Sequence, residues 1–201
     1  MTRRERLPAG DHAALICTRP TTWRQVVFPF LAEGIRQGEK SVYLTTLHTP
    51  KAIMSLLAQE GVDVDQALAR GSFRVLDAAR SYMPQGWFDP DATIASYIRA
   101  TESAMEAGFA GLRAVGDMAW ACYQASAWDR LEDYERRVGA ELIEPYPLKA
   151  ICFYDRALFE RSLVSTMEVI HPTLWDECSV ERRDMDRARG ALGGSLRPTR
   201  A

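Results

Sequence analysis

Ala13 to Thr46 reads AALICTRPTTWRQVVFPFLAEGIRQGEKSVYLTT. A short apolar run, Ala13 to Cys17, enters a polar turn, and a helical pattern follows over Thr22 to Gln37. Gly38-Glu39-Lys40 then leads into a second apolar run at Val42 to Leu44. Parallel-sheet folds that hold nucleotides in a phosphate loop begin with this strand, turn, helix and strand. Such a loop needs glycines so that successive N–H groups close around phosphate, a Lys for the terminal phosphates and a hydroxyl for Mg²⁺. The turn here, Thr18-Arg19-Pro20-Thr21-Thr22-Trp23-Arg24-Gln25, has neither Gly nor Lys, and Pro20 removes a donor. ATP or GTP turnover at this position is therefore not expected. Arg19, Arg24, Trp23 and the threonine hydroxyls at a helix N-terminus are suited to a different ligand.

Outward from this stretch the alternation continues. Strand-like runs recur at Phe73 to Leu76, Leu112 to Val115 and Ala150 to Tyr154. Helical patterns lie between them at Pro50 to Glu60, Val64 to Ala69, Asp91 to Ala107 and Ala127 to Glu141, with another at Arg156 to Ser165. Thr49 before Pro50 marks a helix start, and Gly61 and Gly108 mark helix stops. GLRAVG and LKAICFY are nearly continuous in apolar residues, as central strands covered on both faces must be. Five such strands predict an α/β three-layer sandwich around a mainly parallel open sheet, since a closed barrel of this class needs eight.

At 201 residues, 47% of them hydrophobic, the chain has material for one sizeable core. A net charge of −2 supplies no bulk attraction to nucleic acid or anionic membrane, so direct binding to either is not expected. No apolar stretch approaches the roughly 18 residues that span a bilayer, and MTRRERLPAGDH lacks the apolar centre of a secretory signal. The expected location is cytoplasmic. Cys17, Cys122, Cys152 and Cys178 form no C-x-x-C pair, and free thiols are expected.

Taken in order, several short segments resemble the MEDS family, the sensory domain named for methanogens, methylotrophs and the regulator DcmR. They are Gly10-Asp11-His12, Pro29-Phe30-Leu31-Ala32-Glu33-Gly34, Gly38-Glu39 and Gly61-Val62-Asp63-Val64, then Tyr82-x-x-x-Gly86-x-Phe88-Asp89-Pro90. Gly116-Asp117-Met118-Ala119-Trp120, Tyr134-Glu135, Cys152-x-Tyr154-Asp155 and His171-Pro172 complete the set. Two positions depart from the family pattern Gly-Glu-Met-Ser-Trp, with Asp117 in place of Glu and Ala119 in place of Ser. The resemblance implies a RecA/KaiC-like fold whose Walker A loop is lost. It divides the chain into an N-terminal extension (1–9), a sensory domain (10–172), and a charged helix with a flexible tail (173–201). It also implies a stand-alone sensor that binds a small organic molecule, a simple hydrocarbon derivative, and regulates transcription or signalling through a partner protein. A homodimer is compatible with this reading, but no residue places an interface.

The residues nominated for ligand contact are His12, Arg19, Trp23, Tyr82, Trp87, Phe88, Asp117, Trp120, Cys152 and Tyr154. The aromatic members cluster near expected strand C-termini, where open α/β sheets collect ligands, and aromatic area holds apolar molecules. The cleft is expected between the Thr18 to Gln25 loop, the Tyr82 to Pro90 loop and the Gly116 to Trp120 turn. Asp117 competes between ligand contact and capping the following turn. His12, Cys152 and His171 carry good metal donors. Their spacing is no recognised metal pattern, Cys152 reads first as a small core hydrophobe and His12 and His171 as hydrogen-bonding or capping groups, so no metal and no cofactor is assigned. Tyr134 and Glu135, inside LEDYERR, read as a solvated helix face with an inward Tyr. No nucleophile and base pair is evident, so no catalytic residue is assigned. The competing reading is a protein-interaction module whose vestigial nucleotide site is filled by side chains.

Overall fold

The computed structural model describes residues 12–124 and 127–181. The expected N-terminal extension and the Gly/Ser/Pro/Arg-rich end of the tail lie outside the described residues. In chain order the elements are β1 (His12–Cys17), α1 (Pro20–Arg36), β2 (Lys40–Thr45), α2 (Pro50–Gln59), α3 (Val64–Arg70), β3 (Phe73–Asp77) and α4 (Ala78–Tyr82). They continue with α5 (Pro90–Glu106), β4 (Leu112–Asp117), a 3₁₀ turn (Met118–Tyr123), α6 (Trp128–Val138) and a π turn (Gly139–Ile143). β5 (Leu148–Asp155), α7 (Arg161–Ile170) and β6 (Thr173–Trp175) complete the order. The six strands form one sheet in the order β3-β2-β4-β5-β1-β6, and every pairing is parallel.

Helices cover both faces, which is the α/β sandwich the alternation predicts. Successive strand residues point to opposite faces, so β1 sends Ala13, Leu15 and Cys17 into one core and Ala14 and Ile16 into the other. The first core packs α1, α2 and α3 through Val27, Phe28, Leu31, Ile53 and Leu57. The second packs α4 to α7 through Tyr82, Ile94, Leu131, Tyr134, Leu163 and Met167. β1 and β4 are buried along their whole length, as their apolar sequences require. At the opposite end of the sheet from the helix-capping turns, buried Arg113 joins Glu39 (2.5 Å), the Phe30 carbonyl (2.9 Å) and Gln37 (3.1 Å), tying α1 and its following turn to β4.

Local chemistry sets the ends. Thr49, Asp63, Asp77 and Asp89 each accept a backbone N–H from the first turn of the helix they precede. Gly71 closes α3 at φ 74°, a left-handed conformation that side chains with a Cβ avoid.

Several details differ from the sequence reading, among them the short helix α4, which no pattern marked. A sixth strand, β6, falls where the charged helix was expected to begin; three residues are too few to show a period, and its pairing with β1 creates it. The helix follows it, over residues 177–181. The turn after β1 shrinks to Thr18 and Arg19, because Pro20 takes the first helical position where its missing N–H has no intrahelical partner to lose. The pattern assigned to Arg156 to Ser165 becomes a helix that starts at Arg161.

Candidate functional site

At the β1–α1 turn the N–H groups that would face a phosphate are already engaged. Thr18 and Arg19 donate their backbone N–H groups to Glu177 Oε1 at 2.7 and 3.2 Å, and the Thr18 hydroxyl donates to the same oxygen at 3.2 Å. Arg19 extends its guanidinium to Glu181. Reciprocal bonds between Asp176 and Ser179 fix the start of this C-terminal turn. Burial acts to raise the Glu177 pKa, but the backbone donors of Thr18 and Arg19 outweigh it and hold the carboxyl below its ordinary value. A carboxylate from the same chain thus takes up the free backbone donors of this turn.

A second group lies on the α6–α7 face of the sheet. His12 and Cys152 project from neighbouring strands β1 and β5, Glu135 from α6, and His171 from the end of α7; all are buried. Their donor atoms all lie within 4.8 Å of one another. Glu135 Oε2 is 3.0 Å from His12 Nε2 and 3.3 Å from His171 Nε2, and it accepts from the Cys152 thiol at 3.5 Å. Cys152 Sγ is 3.6 Å from His12 Nε2. The Tyr154 hydroxyl donates to Glu135 Oε1 at 2.6 Å, leaving Oε2 for the other three. Burial tends to raise the pKa of Glu135, yet the two imidazoles hold it well below the usual carboxylate range. Burial lowers the pKa of His12 and outweighs Glu135, whereas at His171 the carboxylate prevails over burial and raises it. Burial and Glu135 together push the Cys152 thiol up.

The large opening is elsewhere. A cavity of about 690 Å³ lies between α4, α5 and the exposed end of the β3-β2-β4 face. Val42, Leu44, Leu76, Leu112 and Ala114 make its sheet wall, while Thr93, Ser96, Tyr97 and Ala100 of α5 face them. On this side Leu76 of edge strand β3 is left 44% exposed. At its wall the Tyr82 and Tyr97 hydroxyls bond to each other at 2.9 Å. Burial raises the pKa of both, so they remain neutral phenols. Among the described lining residues Lys40, Arg74, Arg80 and Arg99 are basic and Asp89 acidic, the Arg74 guanidinium donating to the Leu68 and Phe73 carbonyls.

The sequence matches the family described as MEDS, the methanogen/methylotroph, DcmR sensory domain, over residues 11–172. The chain belongs to the MEDS family. The MEDS chain is 27% identical over 151 residues to the transcriptional repressor DcmR of Methylorubrum extorquens, a match covering 74% of the chain and 53% of that protein. It therefore spans about half the length of this curated relative. Among solved structures it is similar to the uncharacterised protein PH0321 of Pyrococcus horikoshii, determined in complex with an unknown peptide. That match has a TM-score of 0.62 and 13% identity and covers 83% of this chain and 77% of the other. The KaiC-like protein PH0186 of the same organism gives a TM-score of 0.57 and 15% identity over 83% and 70% of the two chains. These likenesses establish a KaiC-like α/β fold for the MEDS chain.

The structure disperses the ten nominated residues. Tyr82 and Trp87 line the cavity. Phe88 and Trp120 sit behind Tyr82 in the core, with the Trp120 ring stacked on Tyr82 at 4.9 Å. His12, Cys152 and Tyr154 belong to the buried polar group, and Arg19 to the Glu177 contact. Trp23 is buried on the α1 face and stacks on His48 at 4.2 Å. Asp117 proves to be a cap and tie: it accepts from Ala119 N at 3.1 Å, Thr46 N at 2.9 Å and Leu47 N at 3.0 Å. Of the three loops expected to frame a cleft, the Tyr82 to Pro90 loop contributes to this cavity, through Tyr82, Pro84, Gln85, Trp87 and Asp89. Glu135, read as solvated, is buried at 1% exposure. Its signal was its place on the inward stripe of α6, Leu131, Tyr134, Glu135 and Val138.

Proposed function

We propose that this MEDS domain senses a small organic molecule held between α5 and the β3-β2-β4 face, and reports occupancy to a regulatory protein. The observation that carries this reading is the cavity itself. Its volume is in the range of small-molecule sites, and its sheet wall is apolar, with aromatic, polar and basic side chains around it. The Tyr82 and Tyr97 rings offer aromatic area, and the basic lining residues favour a neutral or anionic compound over a cation. A ligand shifts a conformational equilibrium only through different affinities for two states. The segment Met83 to Asp89, between α4 and α5, contributes Pro84, Gln85 and Trp87 to the wall, so ligand contact there couples to the position of both helices. Regulation of transcription is suggested by the likeness to the repressor DcmR. Binding without turnover is supported by the placement of His12 and His171, which face the buried polar group and not the cavity.

The test is thermal stability against a panel of small alcohols, aldehydes, halogenated hydrocarbons and carboxylic acids, since binding to the native state raises stability. One chemical class is expected to raise the melting temperature, and Ser96→Trp, on the exposed cavity side of α5, is expected to remove that effect while folding normally. No stabilisation by any class, or stabilisation unchanged in Ser96→Trp, overturns the assignment.

The rival reading, an interaction module with a vestigial nucleotide site, draws on the Glu177 contact at the β1–α1 turn. That contact bears on nucleotide binding and leaves the cavity untouched, so both features are compatible with sensing of a non-nucleotide molecule.

A further inference from the structure

The structure assigns a closed transition-metal site, best suited to Zn²⁺, to His12, Glu135, Cys152 and His171. The donor types come first: two imidazoles, one thiol and one carboxylate are the ligand chemistry of zinc, whereas Mg²⁺ or Ca²⁺ would require oxygen alone. Geometry agrees. Bonds of about 2.0–2.3 Å in a tetrahedron place ligand atoms roughly 3.3–3.6 Å apart, and four of the separations here are 3.0, 3.3, 3.5 and 3.6 Å. No large rearrangement is needed to gather them around one ion.

The surroundings prepare the donors. His171 Nδ1 lies 2.9 Å from the Met167 carbonyl, which can only accept, so the proton resides on Nδ1 and the Nε2 lone pair points inward. That Nε2 is fully buried and faces Glu135 Oε2 at 3.3 Å, so a metal ion would take the place of a proton between the two. Tyr154 holds the other Glu135 oxygen and so orients Oε2 toward the centre, the role of an outer-shell partner.

Charge also balances. A Cys152 thiolate and the Glu135 carboxylate cancel the two positive charges of the ion, leaving a neutral unit in a dry interior. The thiol proton leaves to solvent on binding, because a coordinating thiol is deprotonated outright. Four protein ligands fill a tetrahedron and leave no open position for substrate, the mark of a structural site. Since the ligands come from β1, β5, α6 and the end of α7, the ion would clamp both helices to the sheet.

Cobalt(II) titration of the chelator-stripped, reduced full chain tests the assignment, because tetrahedral cobalt–thiolate coordination is visible directly. Expected are a near-ultraviolet sulfur-to-cobalt charge-transfer band and strong visible bands that saturate at one equivalent and are displaced by Zn²⁺. The double variant Cys122→Ser, Cys178→Ser, lacking the two accessible thiols, should retain the charge-transfer band; Cys152→Ser should lose it. The wild-type titration stands even where a variant fails to fold. Absence of a saturable band in the wild type, or a charge-transfer band that survives Cys152→Ser, overturns the site.

Discussion

Gly116 shows how a single residue holds the cavity wall in place. A Cβ at this position would lie 2.4 Å from the Tyr82 hydroxyl and 3.3 Å from Met118 Sδ. Tyr82 cannot yield freely, since its ring is stacked on Trp120 and its hydroxyl bonds to Tyr97. Gly116→Ala is therefore expected to destabilise the fold by about 1–3 kcal/mol and to displace the phenol pair, weakening any ligand that stabilises the wild type. Denaturant unfolding and the thermal-shift panel check the two halves. Unchanged stability would mean the Tyr82 ring has room that the packing denies. Residues of this kind were only partly legible in the sequence. Tyr82 and Trp87 could be nominated because aromatic residues in a Pro- and Gly-containing loop stand out. Asp117 could be placed at a strand end but not assigned, because capping and ligand contact ask for the same carboxylate. Glu135 was missed because its charged neighbours outweighed its position on the inward stripe.

At the scale of elements, the docking of residues 176–181 onto the start of α1 is the contact most open to solution conditions. The Glu177 carboxyl is depressed in the folded chain, so the ionised form is the one that binds the Thr18 and Arg19 N–H groups. A group depressed on folding contributes its full stabilisation above its ordinary pKa, near 4.5, and loses it as pH falls through the lower, folded value. Hydrogen exchange of the Thr18 and Arg19 amides should therefore be protected at neutral pH, after correction for intrinsic rates, and lose protection as the solution is acidified below the ordinary carboxyl range. Glu177→Gln should show weak protection at every pH; equal protection in the variant would mean that the carboxylate does not hold the turn. The long elements were legible because helix periods and nearly apolar strands leave strong patterns over six or more residues. β6 and α4 were not: three and five residues carry no period, and one exists through pairing with β1, the other through the Asp77 cap.

For the whole molecule, the parallel sheet of six strands and the KaiC-like likeness describe an α/β scaffold whose β1–α1 turn is bound by Glu177 and whose cavity lies at the sheet edge. The place of the cavity was not legible in sequence, because it depends on how α5 stands against β3, a matter of packing between elements distant in the chain. The proposed function puts the sensory molecule there. Native mass spectrometry of the chain purified from its own host, beside Ser96→Trp prepared identically, tests this most directly. The account predicts a small organic mass retained by the wild type and absent from the variant, whose cavity is narrowed. The same retained mass on both proteins would place the molecule outside the α5–β3 cavity and contradict the account.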